Sequence, residues 1–205
     1  MTKLLLTSTG LANQNITNQF LQIIDKPVSQ IKIIFVPTAS RSEEELKYVD
    51  ESKKELLDLG IHENNIKTLN LDKPVSFEEV EDFDIIYVCG GNTFYLLKKV
   101  RETGFDKIII EFVKTGKLYF GVSAGSILAN PDISAASTGL EPDKNDVNLT
   151  DLTGLNLTDV IVSPHYCEKE KPIIEKFRRK SQYKVVPLTD NQALFVMDGE
   201  TKIVE

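Results

Sequence analysis

Five consecutive residues, Gly121-Val122-Ser123-Ala124-Gly125, fit the pattern G-x-S-x-G. This pattern can place a nucleophilic serine on a tight turn between a strand and a helix. The flanking residues suit that setting, because residues 117–120 are typical of a short buried strand and residues 126–129 of the first turn of a helix. The alternative is an ordinary turn whose serine only caps the helix. The motif makes Ser123 a candidate nucleophile.

A serine nucleophile needs a base, and histidine is the usual one. The chain has two histidines. His62 lies in a polar turn after a predicted helix, and we expect it to be a solvated loop residue. His165 directly follows a predicted strand, at the kind of sheet edge where open α/β sheets bind ligands. A packed or capping histidine is the alternative, but Ser123 at the same edge favours His165 as the base.

A third residue should orient the imidazole and stabilise its charged form. The segment between the serine and the histidine offers several carboxylates, and their spacing does not choose among them. They are Asp132, Glu141, Asp143, Asp146, Asp151 and Asp159. Most of them could equally be solvated loop residues.

Two backbone N–H groups should stabilise the oxyanion of an acyl-transfer reaction. The N–H of Ala124 is one candidate, because it directly follows the nucleophile. Cys89-Gly90-Gly91-Asn92, at the end of another predicted strand, offers a second, since glycines let the backbone approach a substrate closely. A phosphate cradle is the weaker interpretation, because neither G-x-G-x-x-G nor a G-K-[ST] ending is present.

Other chemistries are less well supported by the sequence. The two cysteines and two histidines show no zinc-ligand spacing, so no metal is expected. Cys167 lies two residues from His165, but no G-x-C-x-G turn presents its sulfur, and we interpret it as structural. No organic cofactor is expected either.

The composition favours an ordinary globular protein. The 205 residues are most simply one domain spanning 1–205, with 41% hydrophobic and 27% charged residues. The 24 basic and 31 acidic residues give a net charge of −7, which argues against nucleic acid or an anionic membrane as partner. No apolar run reaches the roughly 18 residues of a membrane helix, and the apolar stretch at the start of the chain is too short for a signal peptide. Two cysteines predict a reduced, cytoplasmic setting.

Short apolar runs alternate with helical patterns along the first two thirds of the chain. Strands are predicted at residues 3–8, 31–36, 66–71, 85–88 and 117–120. Helices are predicted at residues 13–24, 42–59, 93–100 and 107–115. This alternation predicts an α/β fold with a mainly parallel sheet flanked by helices on both faces.

The remaining third changes character. Residues 130–157, rich in Asp, Asn, Ser and Thr, predict a long surface loop, and such loops are often functional. A strand at 160–163 and a helix at 171–180 precede strands at 183–187, 193–197 and 202–204. Asp198-Gly199 is typical of a hairpin turn, so antiparallel strands are expected at the C-terminal edge. These edge strands leave open whether the chain forms a homo-oligomer.

Four segments in order resemble the aspartyl dipeptidase (peptidase E) family of serine peptidases, which includes the cyanophycinases. They are Phe35-Val36-Pro37-Thr38-Ala39-Ser40, Cys89-Gly90-Gly91-Asn92-Thr93-Phe94, Gly121-Val122-Ser123-Ala124-Gly125-Ser126, and Leu152-Thr153-Gly154-Leu155 with Ser163-Pro164-His165-Tyr166. The resemblance implies a flavodoxin-like, three-layer fold related to the class I glutamine amidotransferases. It also implies Ser123 as nucleophile, His165 as general base and acid, and Gly91 with Ala124 as oxyanion donors. The family's acidic residue follows an Asn, which points to Asp146 and leaves Glu141 open.

The resemblance further implies a small peptide as substrate, cleaved through an acyl-enzyme on Ser123. Family members specific for Asp-X dipeptides are thought to bind the Asp side chain with an arginine after the histidine. Here that loop has no arginine, and only Lys169 or Lys171 could substitute. The alternatives are an isopeptide or other amide hydrolase of the cyanophycinase type, and a non-catalytic binding or regulatory protein.

Overall fold

A seven-stranded sheet forms the centre of the protein, in a computed structural model that describes residues 1–205. The strand order is β3-β2-β4-β5-β1-β8-β9. The strands are β1 (Lys3–Thr7), β2 (Ile33–Val36), β3 (Ile66–Thr68), β4 (Ile85–Val88), β5 (Leu118–Val122), β8 (Ala193–Met197) and β9 (Glu200–Val204). The first five run parallel, whereas β8 is antiparallel to both β1 and β9. The predicted mainly parallel α/β sheet is confirmed.

Helices cover both faces of this sheet. They are α1 (Gln14–Ile23), α2 (Glu43–Asp58), α3 (Thr93–Glu102), α4 (Phe105–Lys114), α5 (Ala124–Leu128) and α6 (Lys171–Lys180). Alternate strand residues point to opposite faces, so Leu4 and Leu6 pack with α3, α4 and α5, while Leu5 packs with α1 and α2. Because both faces are buried, the inner strands β2, β4 and β5 are buried at every residue rather than alternating. None of the helices is long and apolar enough to cross a membrane.

The C-terminal strands divide between two sheets. β8 and β9 form the expected antiparallel hairpin, with Asp198 (φ 49°) and Gly199 (φ 87°) in the turn. The strand predicted at 183–187 does not join that edge. As β7 (Lys184–Pro187) it pairs in parallel with β6 (Val160–Ser163) in a separate two-stranded sheet. Parallel neighbours need a crossover connection, and α6 supplies it.

The long loop predicted at 130–157 has little regular structure, as expected. It contains one short 3₁₀ turn, Ser134–Ser137, and one isolated bridge between Asp132 and Thr153. Specific bonds nevertheless attach it to the rest of the protein. The buried Asn130 side chain donates to the carbonyl oxygen of Val162 at 3.0 Å and accepts from its N–H at 2.9 Å. The loop is therefore attached to β6, the strand that leads to His165.

Candidate active site

Ser123 lies on a sharp turn between β5 and α5, as its motif predicts. Its backbone dihedrals, φ 48° and ψ −109°, are rarely adopted by a residue with a side chain. Its N–H donates to the carbonyl oxygen of Thr7 at 2.9 Å, so the end of the neighbouring strand β1 holds the turn in place. Such strain persists only where the surrounding structure imposes it, and it is concentrated at functional sites.

Close packing around the two motif glycines imposes this turn. A Cβ on Gly121 would lie 2.6 Å from the carbonyl of Gly125, and one on Gly125 would lie 2.3 Å from the carbonyl oxygen of Val88. The Tyr119 hydroxyl also donates to the carbonyl oxygen of Gly125 at 2.6 Å. Neither glycine can be replaced without moving backbone, which explains why the G-x-S-x-G spacing is needed here.

His165 contacts the Ser123 hydroxyl. Its Nε2 lies 2.8 Å from Ser123 Oγ, which is hydrogen-bonding distance. His165 follows β6 and has a positive φ of 60°, and its N–H donates to the Ser8 hydroxyl oxygen at 3.2 Å. The Ser8 hydroxyl in turn donates to the carbonyl oxygen of Leu188 at 3.1 Å. Residues from the ends of β1, β6 and β7 therefore hold the imidazole against Ser123.

The second ring nitrogen of His165 contacts a carboxylate that sequence reasoning did not consider. Nδ1 lies 2.8 Å from Asp190 Oδ1, in the turn between β7 and β8. The Thr9 hydroxyl donates to the Asp190 carbonyl oxygen at 2.7 Å and so anchors this turn. Both side chains of the pair are partly exposed, 49% for His165 and 61% for Asp190. Ser123, His165 and Asp190 form one continuous hydrogen-bonded chain.

The acidic residues favoured from the sequence do not contact His165. Asp146 instead pairs with Arg41, whose Nη2 lies 2.8 Å from Asp146 Oδ2. Glu141 lines the cleft but makes no hydrogen bond to the imidazole. The prediction of Asp146 with Glu141 as alternative assumed an acid between serine and histidine, whereas the sheet brings one from beyond the histidine. Asp190 lies in the short polar turn between two predicted strands, and no local pattern marks it as the partner of His165.

Gly90 and Gly91 bring the end of β4 against the nucleophile. A Cβ on Gly90 would lie 3.2 Å from the Cβ of Ser123. Gly91 has φ +124°, and a Cβ there would lie 2.3 Å from the carbonyl of Ala39. The Gly91 N–H makes no hydrogen bond within the chain. Ala124 is the first residue of α5, where N–H groups have no acceptor inside the helix. Neither of the two expected N–H donors is therefore hydrogen-bonded within the protein.

Two adjoining cavities open at Ser123 and His165. One, of about 570 Å³, extends past Asp190 towards α2, and the other, of about 270 Å³, extends beneath the 130–157 loop. Asp143 lines both cavities. Burial raises the pKa of the Asp143 carboxyl, and the hydrogen bond donated by the Thr93 backbone N–H opposes that effect. No group of three or more His, Cys, Asp and Glu side chains is arranged to hold a metal ion.

Comparison with known proteins identifies the family. Residues 4–204 match the sequence model of peptidase family S51. This chain belongs to peptidase family S51. The resemblance to the peptidase E proteins is thereby confirmed, and a peptidase, hence a hydrolase, is the activity that family membership supports.

Individual relatives agree with this assignment. An uncharacterized peptidase of Listeria monocytogenes is 39% identical over 175 residues, covering 82% of this chain and 83% of its own. Peptidase E of Salmonella arizonae is 35% identical over 136 residues, which cover 65% of this chain and 54% of that protein. A crystal structure from Listeria monocytogenes, provisionally assigned as peptidase E, superposes with a TM-score of 0.82 at 32% identity, covering 99% and 98% of the two chains.

The other residues considered from the sequence lie away from the Ser123–His165 pair or beside it without contacting it. His62 is exposed after α2. Cys167 is exposed and lines the smaller cavity, while Cys89 is buried, and burial raises the pKa of its thiol. Lys169 and Lys171 are exposed and line neither cavity. Hence neither lysine lines the cleft in which the expected arginine would bind a substrate.

Proposed function

We propose that this chain is a serine peptidase that hydrolyses a peptide bond in small peptides through an acyl-enzyme on Ser123. The observation that carries the proposal is the 2.8 Å separation of Ser123 Oγ and His165 Nε2 on a strained strand–helix turn. A serine hydroxyl becomes a useful nucleophile when an adjacent base accepts its proton. The cavities on both sides of the pair leave space for a substrate.

The proposed reaction has two stages. Ser123 Oγ attacks the scissile carbonyl carbon while His165 Nε2 accepts the hydroxyl proton, and the imidazolium then returns that proton to the leaving amine. Water attacks the acyl-enzyme in the second stage, with His165 again acting as base and acid. Asp190 acts throughout by accepting a hydrogen bond from Nδ1–H, which fixes the tautomer and stabilises the imidazolium.

The N–H groups of Gly91 and Ala124 are the proposed oxyanion donors. Backbone donors that the fold does not use are preorganised for charge that develops in the transition state. Gly91 lines the larger cavity, and a Cβ there would collide with the Ala39 carbonyl, so glycine is the residue that fits at this position of the cleft. Asp190 replaces Asp146 in our assignment of the acidic residue.

A fluorophosphonate probe tests the nucleophile. We expect the wild-type protein to be labelled at Ser123, and labelling to be lost in Ser123→Ala and strongly reduced in His165→Ala. The folded state of each variant is checked by circular dichroism. A folded wild-type protein that is not labelled would contradict catalysis and favour a binding or regulatory role on the same scaffold.

A peptide panel tests the bond that is cleaved. The panel holds Asp-X, β-Asp-X and neutral dipeptides, and the products are quantified by chromatography. We expect hydrolysis of ordinary peptide bonds. Cleavage confined to the β-linked peptides would instead support an isopeptide hydrolase. The two free cysteines are consistent with the reducing, cytoplasmic setting that we propose for this activity.

A further inference from the structure

The cleft around Ser123 is lined by carboxylates and by no lysine or arginine. Both cavities contain Glu141 and Asp143. The remaining acidic lining residues are Glu45, Glu51, Glu55, Asp190 and Glu170. Low-dielectric walls of one sign concentrate the opposite charge in a cleft. The electrostatics of this cleft therefore oppose an acidic substrate group.

Asp143 is the carboxylate best placed to act on a substrate. Its Oδ2 accepts the Thr93 N–H at 2.8 Å, whereas its Oδ1 has no partner in the protein. No lysine or arginine forms a salt bridge with it, and burial raises its pKa. A partly buried carboxylate without a cationic partner attracts a cation strongly, because the Coulomb interaction is less screened there than in water.

A second polar group at the same place also lacks a partner. Thr93 is fully buried, lines the smaller cavity with Asp143 and Ser123, and its hydroxyl makes no hydrogen bond within the protein. Buried hydroxyls are normally paired. An ammonium or guanidinium at Asp143 would provide a donor for the Thr93 oxygen, so this orphaned group points independently to a ligand.

One arginine that pairs with the 130–157 loop does so at Asp146 rather than at Asp143. Arg41 pairs with Asp146 and stacks over the ring of Tyr95, with its guanidinium carbon 4.4 Å from the ring centroid. Arg41 lines neither cavity, and the same is true of Lys169 and Lys171. No cationic side chain of the chain itself therefore occupies the position facing Asp143.

The wall that carries Asp143 is held in place by Glu170. The Glu170 carboxylate is buried and accepts the Leu140 N–H at 2.9 Å and the Cys167 N–H at 3.3 Å. A Cβ on Gly139 would lie 2.9 Å from Glu170 Oε1, so the loop packs directly on this carboxylate. Because Glu170 is already satisfied and Glu141 is exposed, Asp143 is the partly buried carboxylate of the smaller cavity that keeps a free oxygen.

We propose that Asp143, with the Thr93 hydroxyl, binds a cationic group of the substrate, an ammonium or guanidinium, and that the cleft rejects an acidic group there. This inference rests on the proposed peptidase function and adds the substrate class. Two sources supply that chemistry in a peptide, namely the free α-amino terminus and a lysine or arginine side chain. A substrate with an Asp side chain at this position would meet only carboxylates.

Equilibrium binding to the Ser123→Ala variant tests the inference without requiring catalysis. Calorimetry compares lysyl, norleucyl and glutamyl alanine dipeptides, each with a free and an N-acetylated amino terminus. We expect the lysyl or the free-amino peptides to bind at least tenfold more tightly than their uncharged counterparts, since charge-assisted hydrogen bonds are the strong ones. Comparing lysyl with norleucyl tests the side chain, and comparing free with acetylated peptides tests the terminus. Equal binding of the cationic and uncharged peptides, or tighter binding of the acetylated glutamyl peptide than of the cationic ones, overturns the proposal.

The Asp143→Asn change identifies the residue responsible. In the Ser123→Ala background this change should abolish most of the preference for cationic peptides. Asp146→Asn removes the same charge from the same loop but outside the cleft, and it should leave that preference unchanged. Equal loss in both variants would mean that only the net charge matters and would overturn the assignment to Asp143. Fluorophosphonate labelling of the wild type reports separately on the nucleophile. Labelling without any preference for cationic peptides refutes this inference alone. A preference for cationic peptides without labelling or hydrolysis refutes the proposed peptidase function alone.

Discussion

His165 Nδ1 lies 2.8 Å from Asp190 Oδ1, although the two residues are 25 positions apart and lie at the edges of two different sheets. His165 follows β6 of the small sheet, and Asp190 precedes β8 of the large one. This contact joins the two sheets at the candidate active site. It also leaves Nε2 facing Ser123, because Nδ1–H donates its hydrogen bond to the carboxylate.

Replacing Asp190 by Asn should lower kcat by about 10²- to 10⁴-fold, because an amide can hold the wrong tautomer of the imidazole. The partial exposure of the pair favours the lower end of that range. Steady-state hydrolysis of a cleaved dipeptide measures the effect. Asp146→Asn serves as the matched control and should retain kcat, since Asp146 contacts Arg41 and not His165. Equal losses in the two variants would contradict the role of Asp190.

Replacing Ser123 by Gly should remove catalysis and raise the free energy of unfolding by about 1 kcal/mol. The strained backbone costs on the order of 1–3 kcal/mol, and glycine's greater unfolded-state entropy offsets part of the gain. Urea unfolding measures the change. Ser123→Ala keeps the strained φ of 48° and should not show the gain. If both variants are equally stable, the turn stores no strain.

Replacing Gly91 by Ala should destabilise the protein by at least about 2 kcal/mol, since its Cβ would collide with the Ala39 carbonyl at 2.3 Å. Gly60→Ala is the control. Gly60 also has a positive φ, +94°, but no atom would lie within 4 Å of a Cβ at this position. It should lose only about 1–2 kcal/mol, the cost of the left-handed backbone. Losses of the same size would show that the contact with Ala39 relaxes freely.

Replacing Asn130 by Ala should cost about 3 kcal/mol and reduce kcat/KM. The change leaves the buried N–H and carbonyl of Val162 without partners, and each unsatisfied group costs about 1–3 kcal/mol. Asn145 is a matched control, because its exposed side chain also bonds one backbone N–H and one carbonyl, both of Leu149. Asn145→Ala should change both quantities little, as water replaces the lost bonds.

Glu55 should make the protein less stable as the pH rises. Burial, with a smaller contribution from Glu51, raises the pKa of Glu55 above its ordinary value of 4.5, although the Leu11 N–H opposes this. The folded state thus holds the proton more tightly than the unfolded state. The stability that this group contributes is complete below pH 4.5 and is lost as the pH rises through the raised pKa.

Unfolding at a series of pH values tests this sign. The free energy of unfolding of Glu55→Gln should increase relative to the wild type as the pH rises from 4.5 to 7, because the variant never carries the buried charge. Glu51→Gln should show a smaller change in the same direction, since it removes only the neighbouring repulsion. A difference between variant and wild type that does not depend on pH would contradict the raised pKa.

Most of the strand and helix positions can be predicted from the sequence. The α/β alternation is strongly periodic, and α2 runs from Glu43 to Asp58 with Ser42 as its cap, one residue inside each predicted bound. Pairing was less predictable. Residues 183–187 have a strand pattern that suits either sheet. Nothing in this segment itself shows whether it joins the edge of the large sheet or pairs with β6.

Local residue patterns were sufficient to select Ser123 and His165, because a strained strand–helix turn requires glycines at fixed spacing and because histidines are few. They could not select Asp190. That choice depends on register, since Thr7 of β1 pairs with Val122 on one side and with Ala193 on the other. This pairing places the turns after β5 and before β8 at one sheet edge, although 67 positions separate Ser123 from Asp190. Hydrogen bonding between strands distant in sequence decides such a contact, and only the tertiary structure contains it.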